Sequence, residues 1–435
     1  MEAASLYPYF RKYPAISTDT RNIQPNSLFF ALKGERFNGN RFAAQALEKG
    51  ASYAIVDEPQ AADGDERYLY VSDVLIALQA LARYHRSQLQ IPVIGITGTN
   101  GKTTTKELIQ AVLSQQFHTY ATKGNLNNHI GVPLSVLSIS PQTEIAIIEM
   151  GANHVGEIAF LCEIARPTHG LITNVGRAHL EGFGNFEGVK KAKGELYDFL
   201  AAQRGTLFLQ NDNPTLREMA AARSGQQLVT YGFSPENSVS GELISADPLL
   251  HIQWTTPDSD GHHAVHTQLT GAYNTENILA AISIARHFGV PPEYINRGIS
   301  EYTPTNNRSQ LTKTEHNTLI CDYYNANASS MAAALENLRT LHADQKVVVL
   351  GDMFEMGDDT HEEHRKVVEA ALLVQAVRIL FVGKAFYEHR QQAGAEFYET
   401  TAAAKDALTQ QPIQNALVLL KASRGMAFEK LVDAL

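Results

Sequence analysis

The stretch Val93 to Glu107, VIGITGTNGKTTTKE, restricts the fold more than any other. The run PVIGIT is apolar and β-branched and reads as a buried strand. Leu108 with Val112, and Ile109 with Leu113, then recur at i, i+4, the spacing of a helix face. Gly98, Thr99, Asn100, Gly101, Lys102 and Thr103 join the two. A strand that turns through glycines straight into a helix is a unit of a parallel α/β sheet. The turn presents backbone N–H groups at the positive end of a helix dipole, and Lys102 adds a full charge. Such a loop cradles phosphate, and the Thr103 hydroxyl can ligate Mg²⁺. The longer G-x-x-x-x-G-K-[ST] pattern is incomplete, because Ile96 stands where its first glycine belongs. The competing reading is a tight structural turn with a solvated lysine.

The same alternation extends over the rest of the chain. Before residue 90, NSLFFALKG, SYAIVDEP and RYLYVSD are strand-like, while RFAAQALEKGA and LIALQALARYHRSQL have helical spacing. After the loop, EIAIIEMG, HGLITNVG, GTLFLQND and QLVTYGF are strand-like, and GEIAFLCEIA is helical. LLHIQWTTPDSDGHHAVHTQL reads as a hairpin with a polar turn, and NTENILAAISIARHFG as a helix closed by Gly289. YTPTNNRSQ is a polar boundary. Beyond it NTLICDYY, QKVVVLGD, VRILFVG and ALVLLKAS form a further α/β unit. The expected fold class is therefore α/β, with units at 1–89, 90–307 and 308–435. Glu149 ends an apolar strand, where carboxylates face the ligand crevice of parallel sheets, and is a Mg²⁺ candidate; a cap or an ion pair is the alternative.

With 36 Lys and Arg against 46 Asp and Glu, the net charge is −10 and no long basic stretch exists, which argues against a nucleic-acid partner. Cys162 and Cys321 are expected as reduced thiols. No segment reads as a signal peptide or a membrane span. A cytoplasmic protein is expected.

Taken in order, GTNGKTT, TKGNLNNHIGVPLSVL, EMGANHVGEI, ITNVGRAHLEGFG, KAKGELY, GAYNTENILAA, DYYNANASSM and LGDMFEMG closely resemble the Mur ligase family. STDTRNIQPNSLFFALKGERFNGNRFAAQALEKGA resembles its UDP-binding domain, and KASRGMAFEKL its C-terminal end. DYYNANASSM resembles the branch that adds D-alanyl-D-alanine to UDP-N-acetylmuramoyl-tripeptide. The resemblance implies a UDP-substrate domain, a P-loop ATPase domain and a Rossmann-like domain that brings the amine. It implies an ATP-dependent bacterial ligase of peptidoglycan synthesis that acts through an acyl phosphate and is expected as a monomer.

Residue by residue, it implies that Gly98 to Thr104, with Thr104 included, line the ATP phosphates and that Lys102 holds the β- and γ-phosphates. Thr103 and Glu149 would hold one Mg²⁺, and His179 would help hold a second. Lys193 matches a lysine carried as a carbamate, with Lys190 and Lys191 as competing assignments. Asn274 and Asn277 fall on the adenine side, Arg308 on the ATP phosphates and Asp322 on the ribose. Ser17, Asp19 and Arg21 would face the uridine or diphosphate. Asn125, Asn127 and Asn128 contact muramoyl or phosphate groups or stabilise turns. Asn325 and Asn327 shape the dipeptide end or serve the fold. The glycine that commonly precedes the family's arginine is missing before Arg308. The histidines of DGHHAVH have no nearby carboxylate or cysteine and read as a solvated turn rather than a metal site. A third-residue adder, a folylpolyglutamate-type synthetase and a P-loop switch are the other readings.

Overall fold

A computed structural model describes residues 1–59, 64–176, 180–259, 261–354 and 356–435. Among them, three parallel-sheet units follow one another along the chain. The first orders its strands Ala15–Ser17, Ser27–Phe30, Tyr53–Val56 and Tyr68–Tyr70, each parallel to its neighbour. Helix Ala3–Lys12 buries Leu6 and Phe10 against this unit. The sequence assigned it no element, because Pro8 inside it hides the periodicity. Helix Val74–Gln88 starts at Asp73, whose carboxylate accepts the Ile76 N–H at 2.8 Å. Its last turn reaches the central unit: the Arg86 guanidinium donates to the carbonyls of Ala165 (2.9 Å) and Arg166 (3.0 Å). These bonds satisfy the cation although burial pushes its pKa down.

The central sheet runs from His263–His266 through Leu250–Thr255, Val239–Ala246, Gln227–Gly232, Thr206–Gln210, His169–Ile172, Val93–Thr97 and Ile145–Glu149 to Thr119–Ala121. The hairpin expected near residues 250–266 is its antiparallel edge. The other pairings are parallel, and strands Val93–Thr97 and Ile145–Glu149 are buried along their whole length. That burial explains their unbroken apolar runs, since helices cover both faces. The third sheet orders Gln310–Lys313, Thr318–Asp322, Leu417–Lys421, Lys346–Gly351, Arg378–Val382 and Glu396–Tyr398, with only the first strand antiparallel. Both cysteines are buried and free. No helix among the described residues is long and apolar enough to cross a membrane.

Parallel sheets open their ligand crevice at the carboxyl ends of the strands. Here the ends of Val93–Thr97, Ile145–Glu149 and His169–Ile172 meet those of Thr318–Asp322 and Leu417–Lys421 around one cavity of about 1020 Å³.

Candidate active site

The loop after Val93–Thr97 is held by the residues that follow the neighbouring strand. Asn174 takes the Asn100 N–H on its side-chain oxygen (3.0 Å) and returns a bond to the Asn100 carbonyl (3.1 Å). Thr173 donates to that same carbonyl at 2.6 Å. Only glycine suits two positions. Gly98 has φ +146°, and a Cβ there would lie 2.0 Å from the Thr173 hydroxyl; Gly101 has φ +78°, and a Cβ would lie 2.7 Å from Asn277 Oδ1. Gly101 then opens helix Lys102–Leu113. Lys102 folds back over the loop, its Nζ donating to the carbonyls of Gly98 (2.8 Å) and Thr99 (3.1 Å). Burial lowers the Lys102 pKa and Arg308 lowers it further, against the pull of Glu149. A half-buried cation whose own hydrogen-bond partners are only carbonyls is set to take an anion.

Thr103 and Glu149, paired by the sequence reading, touch: the hydroxyl donates to Glu149 Oε2 at 3.0 Å. Asn127 donates to the other carboxylate oxygen at 2.9 Å, so this asparagine serves the acid. Lys106, unmarked in the sequence, is buried with its Nζ 3.9 Å from Glu149. Hydroxyl and carboxylate oxygens on rigid elements are the hard donors that suit Mg²⁺. Asn274 and Asn277 line the cavity in a buried relay: Thr105 donates to Asn277, Asn277 to Asn274 (2.8 Å), and Asn274 to the Thr270 carbonyl (2.8 Å). Asn128 spends its side-chain oxygen on the N–H groups of Ile130 and Gly131, the turn-stabilising alternative, and both Asn128 and Asn125 line the cavity.

Lys193 lines the cavity and is 2 % exposed. Burial, with Lys102 adding repulsion, pulls its pKa down to about 7, while Glu157 and Glu195 oppose the shift. Lys190 instead pairs with Glu187 (3.3 Å) and Glu218 (3.6 Å), and Lys191 is exposed. His179 lies outside the described residues. No cluster of three His, Cys, Asp or Glu side chains forms among the described residues, and His263 packs on Trp254.

From the third unit, Arg308 lies 3.9 Å from the ring centre of Tyr324, and its buried Nε has no partner. Asp322 pairs with Lys421 at 2.6 Å and accepts the Ser309 N–H at 3.3 Å. Asn327 caps helix Ala328–Thr340. Its amide also donates to Asn100 Oδ1 (2.9 Å), and Asn100 donates to Ser329 (2.8 Å), so the phosphate loop is bonded directly to the third unit. Asn325 uses its side-chain oxygen on the Ala326 N–H. Ser17, Asp19 and Arg21 stay on the first unit, outside the cavity. Ser17 bonds Ser27 at 3.4 Å, and Arg21 grips Asp19 in an exposed bidentate pair that lowers the Asp19 pKa to about 2. Beyond Lys106, the sequence reading passed over Asn174, Tyr324, Lys421 and Arg424. Lys421 carried a usable signal: like Glu149, it is a charge at the end of an apolar parallel strand.

Family models match nearly the whole chain: "Mur ligase family, catalytic domain" over residues 12–93, "Mur ligase middle domain" over 96–285, and "Mur ligase, glutamate ligase domain" over 307–424. The UDP-N-acetylmuramoyl-tripeptide--D-alanyl-D-alanine ligase of Bacillus subtilis (strain 168) is 34% identical, with 97% of this chain and 92% of that protein covered. The ligase of the same name from Escherichia coli (strain K12) is 36% identical, with 97% and 93% covered. A crystal structure of MurF from Acinetobacter baumannii superposes with a TM-score of 0.86 at 32% identity, covering 99% of this chain and 98% of that one. With family models over all three units and relatives matched over almost their full length, this chain belongs to the Mur ligase family.

Proposed function

We propose that the chain is an ATP-dependent ligase that joins the terminal carboxylate of UDP-N-acetylmuramoyl-tripeptide to the amine of D-alanyl-D-alanine. It would do so with three units taken as 1–89, 90–307 and 308–435. The observation that carries this reading is the bonding of the phosphate loop to the third unit through Asn100, Asn327 and Ser329 around one cavity. A loop for the phosphoryl donor and a unit for the incoming amine then share the space in which an amide must form.

A carboxylate is a poor acyl donor, because oxide is a poor leaving group. The loop N–H groups and Lys102 hold the ATP phosphates, and Arg308 adds charge where the γ-phosphoryl transfers. The tripeptide carboxylate oxygen attacks the γ-phosphorus, and the bond to the ADP oxygen breaks. The acyl phosphate so formed is attacked at its carbonyl carbon by the dipeptide amine. The tetrahedral adduct expels phosphate, the nitrogen loses a proton, and the amide remains. Closure of the third unit on the loop keeps water from the mixed anhydride.

Thr103 and Glu149 would hold one Mg²⁺, which neutralises phosphate charge when bound. Lys193 as a carbamate, with His179, would serve a second. Its buried amine suits that modification, because the anion formed would exchange repulsion from Lys102 for attraction. Asp322 and Asn277 would face the ribose and adenine, and Ser17, Asp19 and Arg21 the uridine diphosphate. The test is ADP release with both acceptor and nucleotide-peptide present and with each omitted. Amide formation that requires both supports the ligase; equal ADP release without either makes the protein a bare nucleotide hydrolase.

A further inference from the structure

The proposed reaction leaves one end of the acceptor without a partner. D-Alanyl-D-alanine has an amine that reacts and a carboxylate that does not. The cavity already holds Glu149, Glu157, Glu276 and Asp322, so a further carboxylate needs a cation of its own. Lys102 is bonded into the phosphate loop, and Lys421 is committed to Asp322. Arg308 lines the cavity with Lys102 and is the cation given to the phosphates in the reading above.

Arg424 remains. It lines the cavity, is exposed, and has no carboxylate at ion-pair distance among the described residues. Its guanidinium lies 5.1 Å from the Tyr324 ring centre and Nη1 donates to the Tyr324 hydroxyl at 3.2 Å, leaving the other N–H groups uncommitted. Its backbone is anchored on both sides. The Ser423 N–H donates to the Asp352 carbonyl at 3.3 Å, and the Met426 carbonyl accepts from Thr401 at 2.6 Å. Tyr324 therefore carries two guanidinium groups, Arg308 at 3.9 Å and Arg424 at 5.1 Å from its ring centre. With both cations lining one cavity, one can serve phosphate and the other the carboxylate of an acceptor whose amine must reach the acyl carbon.

Resting on the ligase reading above, we propose that Arg424 binds the C-terminal carboxylate of the acceptor dipeptide, with Tyr324 fixing the guanidinium. The fork of Arg424 pairs with both carboxylate oxygens, and the dipeptide is thereby chosen over acceptors lacking that charge.

The experiment compares D-alanyl-D-alanine with D-alanyl-D-alaninamide in the full-length wild type, Arg424→Gln and Arg424→Lys. The wild type should prefer the acid. Arg424→Gln should raise the dipeptide KM about 10- to 100-fold, the range for loss of a charge-assisted pair, and reduce the acid-over-amide preference toward one. The KM values for ATP and nucleotide-peptide should stay within about twofold, and Arg424→Lys should restore part of the preference. Hydroxylamine trapping of the acyl phosphate, needing no dipeptide, reports that the variant is folded. An Arg424→Gln enzyme that traps hydroxamate yet keeps the wild-type preference overturns the assignment. A wild type that traps hydroxamate but forms no amide with either acceptor overturns the ligase reading instead.

Discussion

The lowered pKa of Lys193 makes a carbamate measurable. The amine must be neutral for its lone pair to attack CO₂; the N–C bond forms and one proton leaves. At the ordinary value of 10.5, about one amine in 3,000 is neutral at pH 7; at about 7, half are. The folded site thus holds about a thousandfold more reactive amine than an exposed lysine, chiefly through burial and secondly through Lys102. With ¹³C-labelled bicarbonate, carbon NMR should show a carbamate resonance in the wild type and in Lys190→Ala and Lys191→Ala, and none in Lys193→Ala. Short carboxylic acids should restore part of the activity of Lys193→Ala. A second consequence follows in CO₂-free buffer. Because the folded value lies below the unfolded one, the unfolded chain binds more protons between about pH 7 and 10.5. Stability therefore rises with pH across that window, by at most about 1.4 kcal/mol per unit, and Lys193→Met should remove that slope. A carbamate signal that survives Lys193→Ala, or equal pH slopes in wild type and Lys193→Met, would refute the reasoning.

Gly101→Ala should raise the ATP KM tenfold or more, because a side chain at φ +78° costs about 1–2 kcal/mol and its Cβ meets Asn277; steady-state kinetics decide, and an unchanged KM excludes the clash. Glu149→Gln retains an oxygen for Asn127 but loses the charge beside Thr103, so kcat should fall about 100-fold or more and the Mg²⁺ requirement should rise, read from a metal titration. Asn100→Ala removes both bonds to the third unit, worth about 1–3 kcal/mol together, and should shift the population toward a more extended shape in small-angle scattering. Identical scattering curves would mean that these bonds do not hold the units together.

The fold was legible wherever burial wrote itself into the order of residues. The continuous apolar runs of the two inner sheets, the loop between strand and helix, and the hairpin near residues 250–266 all follow from local pattern. Helix Ala3–Lys12 did not, because Pro8 interrupts its pattern and its partner is more than sixty residues away. Thr103 and Glu149 could be paired in advance because each sits at a position fixed by its own strand or helix. Lys106 and Arg424 could not, since nothing local distinguishes a helix lysine or a loop arginine from a solvated one. Asn128 and Asn325 stay divided between the two roles left open for them: their side-chain oxygens take neighbouring backbone N–H groups, yet both residues line the cavity. Only three-dimensional partners separate these cases.

The linker to the third unit adds a step that ties nucleotide to shape. Lys102 and Glu107 lie on one helix, the first at the phosphate loop and the second one turn further along. Glu107 accepts from the Tyr302 hydroxyl and from the Asn306 amide, both at 2.8 Å, and both donors sit in or beside the linker that precedes Arg308. Its neighbour Lys106 faces Glu149. A shift of this helix on phosphate binding is therefore felt at the linker through Glu107 and at the candidate metal carboxylate through Lys106. Glu107→Gln should weaken the carboxylate's two hydrogen bonds while leaving the phosphate loop intact. If the linker reports on the nucleotide, that variant should bind ATP with ordinary affinity yet lose most of its ATP-dependent compaction. Compaction equal to the wild type would show that the third unit follows the loop contacts at Asn100 alone.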